Sequence, residues 1–173
     1  MTVIWSFGSF AFFLIPFYLG AIQFGNVYTM SLAIEAAELM ASFVCLFITK
    51  LMSLKNALLM SCLFVCTGAV MLLLFLNSQG GDPNKAQGLV LPALLLIINF
   101  GADASFNVAY LLNAHLFPPA VLATAYGVCN VMGRLISILA PLVAKAPHPW
   151  PLVALIGYSS ICIVLGFFLK SRN

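Results

Sequence analysis

Asn99-Phe100-Gly101-Ala102-Asp103, Asn113-Ala114-His115-Leu116-Phe117-Pro118-Pro119 and Asn130-Val131-Met132-Gly133-Arg134, running on to Ala140-Pro141, decide how this chain reads. They belong to two apolar segments that meet at a short proline turn. Each segment passes the length of about 20 residues that an α-helix needs to cross a bilayer. One carries Asp103 in its interior and the other Arg134. A charge at bilayer depth is costly, so such residues face protein or water and mark the first place to look for function.

Working outward, the whole chain has the same character. Of its 173 residues 64% are hydrophobic and only 6% charged, and the mean hydropathy is +1.14. Soluble domains carry about a quarter charged residues. A soluble surface cannot be covered with so few, so the class is integral membrane and all-α. The net charge of +3 is small and scattered, which excludes nucleic acid as a partner. Cys45, Cys62, Cys66, Cys129 and Cys162 all lie in apolar segments. They read as buried thiols packing as small hydrophobes, not as metal ligands or a redox pair. No Gly-rich phosphate loop, nucleophile-with-base arrangement or metal-ligand spacing occurs. The sequence predicts no enzyme, no cofactor and no metal site.

Six segments are expected to cross the membrane, at about residues 3–22, 27–49, 54–76, 88–112, 122–144 and 150–169, forming a single domain over 1–173. The first, Val3 to Ile22, has no basic residue before it and is too long for a signal-peptide core, so it reads as a helix. The joints fall at Gln23–Asn26, Lys50–Lys55, Asn77–Gln87, Phe117–Pro119 and Lys145–Pro149, with Gly80-Gly81-Asp82-Pro83-Asn84 the clearest turn. Six crossings put both termini on one side. Lys50, Lys55, Lys170 and Arg172 share that side against Lys85 and Lys145, so the positive-inside rule predicts cytoplasmic termini.

The helices differ in polarity. Ser31, Glu35, Glu38, Ser42, Cys45 and Thr49 draw one polar stripe down the second segment at three- and four-residue steps. Asn99, Asp103, Asn107 and Tyr110 do the same on the fourth, and Gly127, Asn130, Arg134 and Ser137 on the fifth. The third and sixth carry no interior charge and can face lipid, and the first offers only Trp5, Ser6, Gly8, Ser9 and Tyr18. Helices two, four and five are therefore expected to share a polar midplane. Each triplet ends in a bland member, the pattern of two three-helix units in transporters built from inverted repeats.

Leu111 to Val143 resembles the tenth-to-eleventh helix region of the major facilitator superfamily, in its organic cation/anion transporter-like branch. The resemblance rests on Tyr110, on Leu116-Phe117-Pro118, on Thr124 through Asn130, and on Arg134-Leu135-Ile136-Ser137-Ile138-Leu139-Ala140-Pro141. Ala33-Ile34-Glu35 fits the branch's eighth helix. It covers the chain as a carboxy-terminal six-helix half, specific after residue 90 and looser before. Such a half implies alternating access against a second six-helix half, supplied by another chain or by a self-dimer. His115, Pro119 and Leu122 stand where the family has Glu, Thr and Arg, and Lys50-Leu51-Met52-Ser53-Leu54-Lys55 replaces its basic loop. The family residues form charge pairs that latch the cytoplasmic gate, and this chain departs from both sides of that latch.

Arg134 is the leading site residue. Its planar guanidinium suits a carboxylate, sulfate or phosphate, and the resemblance implies an anionic preference. The other reading makes it the internal partner of Asp103 or Glu35. Asn99, Asn107, Tyr110 and Asn130 are expected to shape the substrate site. Glu35, Glu38 and Asp103 form a charge or ion-coupling network: three acids against one Arg would leave two buried negative charges, so one or two are expected to carry a proton. Pro118-Pro119 is expected to end the fourth helix and Pro141 to kink the fifth. Gly127 and Gly133 are expected to be close-packing points. The resulting expectation is a transporter half for a small organic anion or zwitterion in a lipid bilayer. Its alternative is a non-transporting structural or regulatory subunit of a larger membrane complex.

Overall fold

Long runs of Leu, Ile, Val, Phe and Ala, broken only at the Gly-, Pro- and Asn-containing joints, leave the backbone one way to satisfy its N–H and C=O groups in lipid: inside helices. The computed structural model describes residues 1–22, 27–78 and 90–169. Over these the chain forms α1 (Thr2–Ile22), α2 (Val27–Leu51), α3 (Leu54–Ser78), α4 (Val90–Leu116), α5 (Pro119–Ser137), α6 (Ala140–Ala144) and α7 (Trp150–Phe168). Counting α5 and α6 as one interrupted span, six helices are long and apolar enough to cross a membrane. The expected turns at 23–26 and around Gly80–Asn84, and Lys85, Lys170 and Arg172, lie outside the described residues.

Two joints are made by proline. Pro118 is extended (φ −66°, ψ 153°) and Pro119 opens α5, where its missing N–H costs nothing. Pro118 therefore stops α4 and Pro119 starts α5. The interruption at 138–139 sits just before Pro141, which has no N–H to offer the Ser137 carbonyl. There the ladder tightens, with Leu139 N–H bonding the Ile136 carbonyl at 3.0 Å, and resumes with Val143 on Leu139 at 2.9 Å. The fifth span is thus interrupted next to its proline and begins at Pro119.

The packing forms two layers. α5, α1, α4 and α2 stand side by side in that order, and α7 and α3 lie behind, α3 against α4 and α7 against α3 and α1. Exchanging the first three helices for the last three turns the α1–α5 pair into the α4–α2 pair and leaves the α1–α4 and α3–α7 pairs in place. This is the pairing of two related three-helix units, consistent with one half of a major-facilitator fold. The core runs through α1, α3, α4 and α7. In α3, Leu58, Cys62, Val65, Ala69, Leu72 and Leu76 recur on one buried face at helical spacing.

The polar stripes of helices two and five do not meet within the described bundle. α2 and α5 stand at opposite ends of the front row, separated by α4 and α1. The central pair is α1 and α4, whose apolar windows are 67% and 61% buried, against 17% for α2 and 22% for α5–α6. α1 takes the centre because its small residues allow close approach: a Cβ on Gly8 would fall 2.6 Å from Cδ2 of Phe106.

Candidate functional site

α2 and α4 run parallel and in register. Residues four apart share a helix face, so Glu38 and Ser42 meet Asn99 and Asp103 at the same offset. Asn99 Nδ2 donates to Glu38 Oε1 at 3.2 Å, and Ser42 Oγ donates to Asp103 Oδ2 at 3.3 Å. Asn107, one turn along, donates to the same Asp103 oxygen at 2.9 Å and to Ser42 Oγ at 3.1 Å. Asp103 is 8% exposed and Asn99 fully buried, while Glu38 is half-buried. With little of α2 touching α3, this polar seam and its apolar neighbours tie α2 to the bundle.

α5 is fixed on α1 by different means. Cys129, Gly133 and Ser137 form its buried stripe, and a Cβ on Gly133 would lie 2.9 Å from Ser9 Oγ and 3.1 Å from Trp5 Cδ1. Gly133 is the close-packing point the sequence suggests. Gly127 is not, since nothing stands within 4 Å of where its Cβ would be. Burying 129, 133 and 137 turns Asn130 and Arg134, one step around the helix, onto the open side, where both are exposed. Ser137 leaves the predicted polar stripe: it is buried and its Oγ donates to the Gly133 carbonyl at 2.8 Å.

Among the described residues Arg134 meets an aromatic ring and no acid. Its Cζ lies 5.6 Å from the centroid of Phe13, within cation–π range. Neither Asp103 nor Glu35 pairs with it, because α1 and α4 stand between the helices that carry them. Glu35 is exposed on α2. Asn99, expected to touch substrate, is instead shut inside the α2–α4 seam, so in this arrangement it holds Glu38.

Between the two polar edges lies an aromatic cluster. Trp5 is fully buried, with ring centroids 4.1 Å from Tyr110, 5.4 Å from Tyr126 and 5.5 Å from Phe106. Tyr126 Oη donates to the Tyr110 carbonyl at 2.8 Å, joining α5 to α4 across α1. Tyr110 keeps 39% of its surface open. The sequence singled out Trp5 with Ser6, Gly8 and Ser9 on the first helix but gave it no site role, and it gave none to Phe13, Phe106 or Tyr126, whose apolar surroundings carry no signal until packing brings the rings together.

No protein-family model matches the chain. Comparison with curated proteins finds a relative. The chain is similar to solute carrier family 22 member 7 of Rattus norvegicus. The two are 35% identical over 72 residues, which is 42% of this chain and 14% of the relative. The match therefore spans a small part of that solute carrier. Together with the six membrane-length helices it makes this chain a transporter-like, integral multi-pass membrane protein in contact with the lipid bilayer.

Proposed function

We propose that residues 1–173 act as one six-helix domain forming half of a solute transporter, with both termini cytoplasmic, moving a small organic anion or zwitterion by alternating access. The observation that carries this reading is Arg134, a permanent charge on the open side of α5 with no carboxylate partner among the described residues. Counting from Ala144, it lies about 15 Å inside the membrane span at 1.5 Å per residue. A guanidinium left there without an anion is costly, and a carboxylate or sulfonate on a substrate would relieve that cost bidentately. Asn130, one turn along α5 and likewise exposed, and the partly open Tyr110 and Asn107 of α4 would complete the substrate site. Glu38 and Asp103, with Asn99 and Ser42 as donors, form the charge network, and Glu35 extends it toward solvent or a second half. That half packs on α2 and α5, whose outward surfaces are largely uncovered.

The test is uptake by the purified chain, with whatever co-purifies, in proteoliposomes offered a panel of labelled organic anions. Wild type takes up at least one, and Arg134→Ala abolishes uptake while the protein stays folded. Uptake unchanged in that variant removes Arg134 from the site. A second reading, a non-transporting subunit of a membrane complex, is favoured by His115, Pro119 and Leu122 in place of the latch residues. It is supported if the chain purifies within a fixed assembly and no flux is found.

A further inference from the structure

Donors and acceptors do not balance in the α2–α4 seam. Two donors, Ser42 Oγ and Asn107 Nδ2, converge on one oxygen of Asp103, the setting that suits a carboxylate. Glu38 receives one donor, Asn99 Nδ2 at 3.2 Å. The oxygen of that same carboxamide, Asn99 Oδ1, is buried, and no donor among the described residues reaches it. A buried acceptor in this position has given up water and gained nothing in return. Turning the carboxamide over does not help. Oδ1 would then stand 3.2 Å from Glu38 Oε1, oxygen against oxygen, and the amide N–H groups would take the unpartnered place.

One proton on Glu38 resolves either orientation. A neutral carboxyl donates its hydroxyl to Asn99 Oδ1 while its carbonyl oxygen keeps the bond from Nδ2, the closed two-bond ring of a carboxylic acid paired with a carboxamide. The charges agree with this assignment. The ionisable groups that act on Glu38 are Glu35 on its own helix and Asp103 on α4, both acids. Cys45 lies two turns along α2. α3, which barely touches α2, carries as ionisable groups only Lys55, bonded to the Phe167 carbonyl, and the thiols Cys62 and Cys66. Arg134 stands on the opposite flank. An ionised Glu38 would therefore add a second negative charge to the seam inside a membrane span, with no cation to meet it.

We infer that Glu38 and Asn99 form a proton-binding site, occupied while α2 is closed on α4, and that this proton travels with the organic anion. The coupling rests on the transporter reading above; the proton site does not. Glu38 keeps part of its surface open where Asn99 has none, so the proton exchanges on the face of α2 that a second half would cover. Release breaks the O–H bond of Glu38 and hands the proton to water. It leaves a carboxylate beside Asp103 and takes the donor from Asn99 Oδ1. Both changes push α2 away from α4, and α2 is the helix least held by the bundle. Rebinding restores the ring and closes the seam. A monovalent anion carried with one proton crosses without net charge.

The proton is read first, by infrared spectroscopy of the full chain in lipid during a pH titration. Wild type should show the carbonyl stretch of a protonated carboxyl. Glu38→Gln, whose amide can keep both bonds to Asn99 without a titrating proton, should remove it. Asn99→Leu should move the stretch to higher wavenumber, because the carbonyl loses the Nδ2 donor. No such band in wild type, or the same band in Glu38→Gln, overturns the proton site. A band that Asn99→Leu leaves in place overturns the pairing, and the Glu38→Gln comparison decides if that variant does not fold. The second measurement is uptake, in proteoliposomes, of an organic anion that wild type carries, at equal pH and with the lumen about one pH unit more alkaline. One proton per anion raises accumulation by up to about tenfold. In Glu38→Gln the ratio of the two conditions should fall to one. A wild-type ratio of one, or stimulation by a sodium gradient in its place, overturns the coupling and leaves the transporter reading standing. Failure to take up any anion removes the transporter reading and the coupling together, while the infrared band still decides the proton site.

Discussion

Arg134 stands open because its neighbour does not. Gly133 is the residue that lets α5 settle on Ser9 and Trp5, and the next position is rotated by about 100° away from that contact. Two predictions follow from this pair. Arg134→Lys keeps the charge but loses the planar fork and much of the stacking on Phe13, so the apparent KM for an organic anion should rise by about tenfold, roughly 1.4 kcal/mol. An unchanged KM would show that only the charge is read. Gly133→Ala should destabilise by about 1–3 kcal/mol, because the added methyl would sit 2.9 Å from Ser9 Oγ and 3.1 Å from Trp5 Cδ1 and must push the serine hydroxyl or the indole aside. Gly127→Ala, with open space around it, should instead be neutral or stabilising by up to about 1 kcal/mol through helix propensity. Thermal unfolding of the two variants in the same detergent gives the comparison, and equal losses would refute the close-packing account.

α2 depends on its polar seam more than any other helix does. It adjoins α4 along one edge only, and there Ser42, Asn107 and Asp103 close a three-membered hydrogen-bonded group. A double-mutant cycle of Ser42→Ala and Asn107→Ala should give a coupling of about 0.6 kcal/mol, typical of interhelical hydrogen bonds in membranes. Asp103→Ala should cost more, about 1–3 kcal/mol, since it strands two donors at once, whereas Asp103→Asn keeps an acceptor oxygen. A cycle that is additive within error, with Asp103→Ala no worse than Asp103→Asn, would mean that apolar contacts alone hold α2. The interruption at 138–139 belongs to the same scale. Pro141 breaks the ladder, and the short α6 beyond it then packs against α1 and α7.

Across the described bundle the acidic seam on α2 and α4 and Arg134 on α5 lie on opposite flanks. The chain does not neutralise itself within the described residues, and its two end helices are the least covered. A second six-helix unit packed on α2 and α5 would bring both flanks to one central space. Gentle purification should therefore yield a particle of twelve spans or a larger complex. Cysteines introduced at Leu39 on α2 and Val131 on α5, both outward-facing, should crosslink to the partner unit. A monodisperse six-helix monomer with no crosslink at either position would sink the two-half arrangement. The number and approximate extent of the spans follow from composition and length, because lipid forces every long apolar run into a helix. The proline joints follow from a missing N–H, and the stripe at Glu38, Ser42, Asn99, Asp103 and Asn107 follows from helical spacing. All of these are one-dimensional constraints. Which stripe meets which is not: periodicity gives each helix a face but no neighbour. The order α5, α1, α4, α2 was settled by where glycine and serine let backbones approach, at Gly8 against Phe106 and Gly133 against Ser9. That order separated Arg134 from the acids, buried Asn99, and moved the seemingly bland first helix and its Trp5 to the centre.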